Sequence, residues 1–301
     1  MVARHRLAVI LAALCCLSTT AVSARTVHSH VKLDGHKRSY QLHVPKCYDQ
    51  DKAVPLVLVL HGAACNASMV SWDTRMSKQA DRDGFIVAYP TGTAATWNAG
   101  DCCGPAYDAK VDDIAYLRAL IQKIESQYNI DRDKIYIAGL SNGGMLAYRA
   151  GAELSDIVAA IAPVAGCMFP PKTGVKEPVS VICFNGTADK LVPIAGGGQC
   201  WFFSVHATPT AEAVDFWVHR DHCASDPICE TTGHVMRQLY KGGSDGTEVC
   251  VYTLAGGGHH WPGGRTAGSI FGDKPSSEIS ATEVMCQFFW SHPKQHNENP
   301  G

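Results

Sequence analysis

Short, uninterrupted aliphatic runs recur along this 301-residue chain and set narrow limits on its fold. The clearest run is Pro55 to Leu60, which ends at His61-Gly62. Continuous runs of this length are typical of strands that are buried on both faces of a parallel sheet. The segment 38–45 alternates polar and apolar residues, as a half-exposed strand does. Runs comparable to the first occupy residues 85–88, 135–138, 157–164 and 179–184, and two further strand-like pieces lie within 238–254.

Segments with helical patterns lie between these runs. Residues 112–124 place Ile114, Leu117 and Ile121 on one face of a helix. Asn142 to Glu153 comes soon after the run at 135–138, and Ala281 to Trp290 is typical of a closing helix. Because strands and helices alternate, we predict an α/β fold in which a mostly parallel sheet carries helices on both faces.

A G-x-S-x-G motif, Gly139-Leu140-Ser141-Asn142-Gly143, joins the predicted strand at 135–138 to the helix that begins at Asn142. A serine on a tight strand-to-helix turn projects its hydroxyl into a cleft, and glycines permit the close backbone contacts of such a turn. The helix N-terminus supplies free N–H groups where an oxyanion would form. This context predicts an α/β-hydrolase fold with Ser141 as the nucleophile.

A serine nucleophile needs a base and an acid, which follow it in the order Asp, then His, in α/β-hydrolases. The acid is expected after a buried strand, and Asp189 lies at a turn directly after the run at 179–184. The glycine-rich segment 256–264 holds two histidines, His259 and His260, in the place expected for the base. The acidic alternatives are weaker, since Asp112 and Asp113 precede the serine and are better placed to cap a helix, while Asp215 lies in a helix-like stretch.

Two backbone N–H groups are needed to bind the oxyanion of an acyl-transfer reaction. We predict that Ala63, in the loop after the run at 55–60, and Asn142 donate them, with Ala64 as the alternative to Ala63. His61 is expected to order this loop by hydrogen bonding. Three residues are predicted to contact the substrate, namely Trp97, Trp261 and His61.

The N-terminal 24 residues have the pattern of a secretory signal peptide. Arg4 and Arg6 precede an apolar run from Leu7 to Leu17, and Val22-Ser23-Ala24 offers small residues for cleavage. The run is shorter than the roughly 20 apolar residues that span a bilayer. We therefore expect a secreted protein, extracellular or periplasmic, with a signal peptide at 1–24, one catalytic domain at 25–293 and a disordered tail at 294–301.

Charge and cysteine content exclude several other classes of function. The formal net charge is −2, so the chain lacks the basic surface of a protein that binds nucleic acid or anionic membranes. Export makes disulfides the expected state of most of the 13 cysteines, two of which lie in the predicted signal. No cysteine pair has CxxC spacing, and Cys183 lies in an aliphatic run, where it is expected to be buried. We predict no metal and no cofactor.

Several blocks together resemble the polyhydroxybutyrate depolymerase and feruloyl esterase-like family of secreted esterases. The most specific are Trp97-Asn98 with Cys102-Cys103-Gly104-Pro105, and Gly258-His259-His260-Trp261-Pro262-Gly263. The resemblance also includes Leu60-His61-Gly62, Val111-Asp112-Asp113, the serine motif, and Asn185 to Asp189 followed by Val192-Pro193.

This resemblance implies that Ser141, Asp189 and the first histidine of the His-x-Trp-Pro block, His259, form the catalytic triad. It further implies that Cys223 pairs with Cys250, and that Cys102 or Cys103 braces the wall of the site. The chain departs from the family at Ala63-Ala64, where many members have Cys or Gly. The aromatic segment 196–203 either lines an acyl pocket or belongs to the core.

The sequence therefore predicts a secreted carboxylic-ester hydrolase that forms an acyl-enzyme. Polyhydroxyalkanoate esters or oligomers, built from 3-hydroxybutyrate, are the first predicted substrates, and the alternative is a feruloyl or acetylxylan esterase that acts on plant cell-wall polysaccharide. The sequence shows no linker or separate substrate-binding domain, which favours soluble esters and oligomers over crystalline polyester. Two further alternatives are a serine peptidase and a polymer-binding module without activity.

Overall fold

A computed structural model describes residues 25–33, 35–171, 173–200, 203–265 and 274–295 of the chain, and it describes the backbone alone at 198–200 and 203–206. The predicted signal peptide lies outside the described residues, as do residues 296–301 of the predicted tail. Within the described part, no helix is both long enough and apolar enough to cross a bilayer.

In the described part of the chain, ten strands form one sheet in the order β1-β2-β4-β3-β5-β6-β7-β12-β11-β10. The six strands from β4 to β12 are mutually parallel, and antiparallel pairs extend the sheet at both edges. Strands β8 and β9 form a separate hairpin. The strands are β1 Arg25–Leu33, β2 His36–Val44, β3 Val54–Leu60, β4 Ile86–Pro90, β5 Ile130–Leu140, β6 Ala160–Val164, β7 Ser180–Gly186, β8 Gly197–Cys200, β9 Phe203–Ala207, β10 Ile228–Thr232, β11 Val235–Tyr240 and β12 Val249–Leu254.

Helices cover both faces of the sheet. Apolar side chains of α4, α5 and α6 belong to the core on one face, and those of α1, α2 and α7 belong to the core on the other. The helices are α1 Ala67–Thr74, α2 Met76–Asp83, α3 Gly104–Asp108, α4 Asp113–Glu125, α5 Asn142–Glu153, α6 Thr210–Arg220 and α7 Ala281–Ser291. The predicted α/β class, with helices on both faces, is confirmed.

Strand β3 shows why the aliphatic runs are uninterrupted. Leu56, Leu58 and Leu60 pack into the core beneath α4 and α5, whereas Val57 and Val59 pack into the core beneath α1 and α7. Because side chains alternate between the faces of a strand and both faces are covered, every position is apolar.

The prediction that a disordered tail begins at residue 294 is wrong. The backbone N–H of Lys294 donates to the carbonyl of Asp133 over 2.7 Å. Its Nζ donates to the carbonyl of Ser155 and pairs with Glu177 at 2.8 Å. These contacts bury a side chain that looked solvated in sequence, so the ordered domain extends beyond Pro293.

Candidate active site

Ser141 occupies a sharp turn between β5 and α5. Its φ of 56° and ψ of −121° lie outside the regions that an L-residue ordinarily adopts, and the turn is held from both sides. The N–H of Ser141 donates to the carbonyl of Val164 at the end of β6, over 2.8 Å, and its own carbonyl accepts the first hydrogen bond of α5 from Met145. The serine is thus presented at the C-terminal edge of the parallel strands.

The glycines of the motif are required by close backbone packing. A Cβ atom added at Gly139 would lie less than 3 Å from the carbonyl of Gly143. A Cβ atom at Gly143 would lie equally close to the carbonyls of Leu60 and His61. The spacing G-x-S-x-G therefore brings the nucleophile turn into direct contact with the loop that follows β3.

The carboxylate of Asp189 and the imidazole of His259 form a buried pair. Oδ2 of Asp189 lies 2.8 Å from Nδ1 of His259, and the residues are 4% and 6% exposed. The second carboxylate oxygen accepts the N–H groups of Leu191 and Val192, each over 2.9 Å. Hydrogen bonds therefore hold both oxygens of the Asp189 carboxylate, and Oδ2 is directed at the imidazole of His259.

The loops that carry this pair are joined along their backbones. Asp189 follows β7 and His259 follows β12, and these strands are parallel neighbours. The N–H of Ala188 donates to the carbonyl of Gly257 over 2.8 Å, and the N–H of Gly256 donates to Oγ1 of Thr187 over 2.8 Å. The two loops therefore hold the pair at the edge of the sheet where Ser141 lies. The strand before Asp189 is two strands from β5 and the strand before His259 is three, on the order of 10 and 14 Å across the sheet.

His260 has a different environment from His259. Its Nε2 accepts the N–H of Ser276 over 2.9 Å, so the ring holds the backbone at Ser276. The next residue, Trp261, donates from Nε1 to Oγ1 of Thr282, and that hydroxyl donates to the carbonyl of Thr74. The imidazole of His259 lies against the carboxylate of Asp189, which favours His259 as the base.

The N–H groups near Ser141 favour one of the two predicted oxyanion donors in the β3 loop. The N–H of Ala64 donates to the carbonyl of Ala95 over 2.9 Å, so it is occupied. Among the described residues, the N–H of Ala63 has no acceptor within hydrogen-bond distance. Asn142 is the first residue of α5, where a helix leaves its N–H groups without intrahelical partners.

The structure buries the three side chains that were predicted to contact the substrate, those of Trp97, Trp261 and His61. Their exposed fractions are 0%, 1% and 0%. His61 donates from Nδ1 to the carbonyl of Gly62 and accepts the N–H of Gly92 at Nε2. Burial lowers the pKa of His61 to about 4, which keeps the ring neutral. Both tryptophans find an acceptor for the indole N–H inside the protein, Trp97 at the carbonyl of His61 and Trp261 at Oγ1 of Thr282, as buried tryptophans usually do.

The state of the cysteines differs from one prediction. Cys223 and Cys250 are both free thiols, so the predicted disulfide between them is wrong. Cys250 lies on β12 and faces the core beneath α7, whereas Cys223 packs against the core on the other face of the sheet. Cys102 and Cys103 form a disulfide with each other, and Sγ of Cys103 lies 3.9 Å from Sδ of Met145 in the helix that follows Ser141. Cys183 is buried, as predicted.

Two polar roles were not identified from the sequence. The side chain of Asn142 is buried and bonds to the backbone of Trp97, although its position in the motif suggested only a backbone donor. Asp112 caps α4, as predicted, by accepting the N–H of Ala115, but Asp113 is buried and binds Arg38 and the N–H of Asn98. The described residues contain no cluster of three or more His, Cys, Asp or Glu side chains arranged to hold a metal ion.

Comparison with known proteins places this chain in a family. Residues 38–195 match the family model described as Esterase PHB depolymerase. The chain is 31% identical over 262 residues to the putative esterase NocK of Nocardia uniformis subsp. tsuyamanensis, covering 80% of this chain and 75% of that protein. It is 31% identical over 226 residues to feruloyl esterase B of Piromyces equi, covering 71% of this chain but only 41% of that protein.

Solved structures show the same fold at lower sequence identity. The acetyl xylan esterase from Aspergillus awamori superposes with a TM-score of 0.58 at 14% identity, and the match covers 79% of this chain and 94% of that one. The predicted α/β-hydrolase fold is confirmed.

Proposed function

We propose that this chain, which belongs to the Esterase PHB depolymerase family and is a serine carboxylic-ester hydrolase, acts through a triad of Ser141, His259 and Asp189. The observation that carries the proposal is the buried hydrogen bond between His259 and Asp189 at the sheet edge that presents Ser141. A buried carboxylate that fixes one imidazole nitrogen leaves the other available to accept a proton from a serine hydroxyl.

The reaction follows from these positions. Nε2 of His259 removes the proton of the Ser141 hydroxyl as Oγ attacks the ester carbonyl, and the carbonyl oxygen becomes an oxyanion that the N–H groups of Ala63 and Asn142 stabilise. His259 then gives its proton to the leaving alcohol, and an acyl-enzyme remains. Water, deprotonated by His259, attacks the acyl carbonyl; the bond to Oγ of Ser141 breaks, the carboxylic acid leaves, and His259 returns the proton to Oγ. Asp189 keeps the proton of His259 on Nδ1 throughout.

The proposed substrates are esters of 3-hydroxybutyrate and its oligomers, which the family model supports by its description. The alternative is the ester bond of a feruloyl or acetyl group on a plant polysaccharide, because relatives carry the names feruloyl esterase B and bifunctional acetylxylan esterase/xylanase. We further propose that the protein is secreted, with residues 1–24 removed as a signal peptide.

Hydrolysis of three esters by purified protein tests this proposal. The substrates are a soluble 3-hydroxybutyrate oligomer, methyl ferulate and p-nitrophenyl acetate, each assayed with wild type and with Ser141→Ala. We expect wild type to cleave p-nitrophenyl acetate and one of the two natural ester types, and Ser141→Ala to cleave none.

Cleavage of a peptide amide and binding of polymer, measured on the same proteins, separate the alternatives. Retained activity in Ser141→Ala would overturn the triad. Cleavage of a peptide amide without cleavage of any ester would identify a peptidase. No turnover of any substrate, together with equal binding of polymer by wild type and variant, would identify a binding module.

A further inference from the structure

The side chain of Asn142 is directed away from the substrate cleft and into the protein. It is 1% exposed, its Oδ1 accepts the N–H of Trp97 over 2.7 Å, and its Nδ2 donates to the carbonyl of Trp97 over 3.0 Å. One carboxamide thus satisfies both backbone groups of one residue, which fixes their separation and their relative orientation. The same Asn142 contributes the N–H proposed for one half of the oxyanion hole.

The side chain of Trp97 extends from this point to the other half of the oxyanion hole. Its Nε1 donates to the carbonyl of His61 over 2.9 Å, and its ring lies 4.8 Å from the His61 ring between centroids. His61 is two residues before Ala63, which carries the second proposed N–H donor. His61 is itself fixed at both ring nitrogens, by the carbonyl of Gly62 and the N–H of Gly92.

The two donors therefore belong to loops that follow neighbouring strands, β3 and β5, and Trp97 is bonded to both loops. An oxyanion hole acts only when both N–H groups lie about 2.7–3.1 Å from the position of one oxygen. A shift of a few tenths of an ångström between the loops would weaken one donor. The indole N–H and the Asn142 carboxamide form a continuous connection that opposes such a shift.

We propose that Trp97 and the side chain of Asn142 are positioning residues that hold the two oxyanion donors at a fixed separation. This inference rests on the proposed function, since it assigns a role within the same site. Neither side chain touches the substrate. Their loss is expected to weaken stabilisation of the transition state while leaving binding of the ground-state ester largely intact.

Trp97→Phe provides a precise test, because it keeps an aromatic ring against His61 and removes only the indole N–H and one ring. The fold of the loop is expected to survive, since Asn98 is held independently by the carboxylate of Asp113 at 2.7 Å and by Arg149 at 2.8 Å. Asn142→Ala removes the other end of the connection. The matched control is Trp72→Phe, which changes a 45% exposed tryptophan on α1 in the same way.

The readouts are kcat and KM for p-nitrophenyl acetate and the Ki of an alkyl trifluoromethyl ketone, whose serine adduct places an oxyanion in the hole. All values are normalised to active sites titrated with a fluorophosphonate. We expect kcat of Trp97→Phe to fall by about 10-fold, the value of one hydrogen bond, with KM changed by less than about 3-fold. Ki should rise by the same factor as kcat/KM falls. The double variant should lose less than the product of the single losses, because both changes break one connection.

Wild-type kcat and Ki in both single variants would overturn the inference, as would a rise of KM at constant kcat. In either case, an inactive Ser141→Ala would leave the proposed function intact. Activity in Ser141→Ala would instead overturn the proposed function itself. If Trp97→Phe gave no active sites at all, the Ki and kcat of Asn142→Ala would decide the inference alone.

Discussion

His259 and Asp189 are 70 residues apart in the chain, and their side chains meet through Nδ1 and Oδ2 at 2.8 Å inside the protein. The contact exists because β7 and β12 are parallel neighbours, so the loops that follow them leave the sheet side by side. The pair is the most specific chemical feature of the described residues.

Asp189→Asn is expected to lower kcat by about 10³–10⁴-fold with little change in the melting temperature. The amide oxygen would take the place of the oxygen that accepts the N–H groups of Leu191 and Val192. The amide nitrogen would then face His259 and donate to Nδ1, which moves the proton of His259 to Nε2. A histidine in that tautomer cannot accept the proton of Ser141.

Steady-state kinetics with p-nitrophenyl acetate measure this effect, and Asp215→Asn is the matched control. Asp215 is exposed on α6, so its variant should keep wild-type kcat. An Asp189→Asn enzyme with more than a tenth of wild-type kcat would contradict the role assigned to the carboxylate.

Gly143→Ala is expected to destabilise the protein and abolish activity. The added methyl group would lie less than 3 Å from the carbonyls of Leu60 and His61, so either the nucleophile turn or the β3 loop must move. Gly174→Ala is the control, because a Cβ atom there meets nothing within 4 Å. Thermal unfolding and ester hydrolysis should separate the two variants, and equal behaviour of both would show that the close approach at Gly143 is unimportant.

Asp221→Asn is expected to raise stability at neutral pH. The side chain is fully buried, and burial raises the pKa of its carboxyl from 3.8 to about 7. The folded state thus holds a proton that the unfolded state releases near pH 4. The resulting stabilisation is complete below pH 4 and is lost as the pH rises to about 7. The loss corresponds to a few kcal/mol in the free energy of unfolding. Asparagine does not ionise, so the variant would keep its stability as the pH rises.

Melting temperatures of wild type and Asp221→Asn should therefore agree near pH 4 and diverge by several degrees at pH 8, with the variant higher. Asp226→Asn, an exposed change nearby, should follow wild type at every pH. A difference between wild type and Asp221→Asn that does not grow with pH would contradict the assignment.

The thiols of Cys223 and Cys250 are expected to react individually with iodoacetamide in denaturant without reductant. They lie on opposite faces of the sheet and are not bonded to each other. Cys102 and Cys103 should be alkylated only after reduction, since they form a disulfide. Peptide mapping by mass spectrometry checks this directly, and a cross-linked peptide that joins Cys223 to Cys250 would contradict the structure.

The fold class and the nucleophile turn could be predicted because their signals are local. Uninterrupted aliphatic runs and helical spacing depend on neighbouring residues alone, and they locate α5 at Asn142–Glu153 as observed. The close approach that explains Gly139, to the carbonyl of Gly143, also lies within one turn. By contrast, β1 and β10 were not predicted, and β10 is exposed along its whole length, so no buried pattern marks it.

The environment of the site could not be predicted because it depends on contacts between distant segments. Trp97 and His61 stand in motifs that resemble an active site, and from sequence they were expected to contact the substrate. In the structure both side chains are buried, and their ring nitrogens bond to partners 36 and 31 residues away in the chain. The Cys223–Cys250 pairing that the family resemblance implied failed for a related reason, because the two thiols pack on opposite faces of the sheet.

Covalent labelling tests most directly whether Ser141 is the nucleophile and His259 its base. The protein is treated with a fluorophosphonate, and the adduct is located by tandem mass spectrometry in wild type, Ser141→Ala and His259→Ala. We predict one adduct, on Ser141, formed at least 100-fold more slowly in His259→Ala and absent in Ser141→Ala. An adduct on another residue, with ester hydrolysis retained by Ser141→Ala, would contradict it.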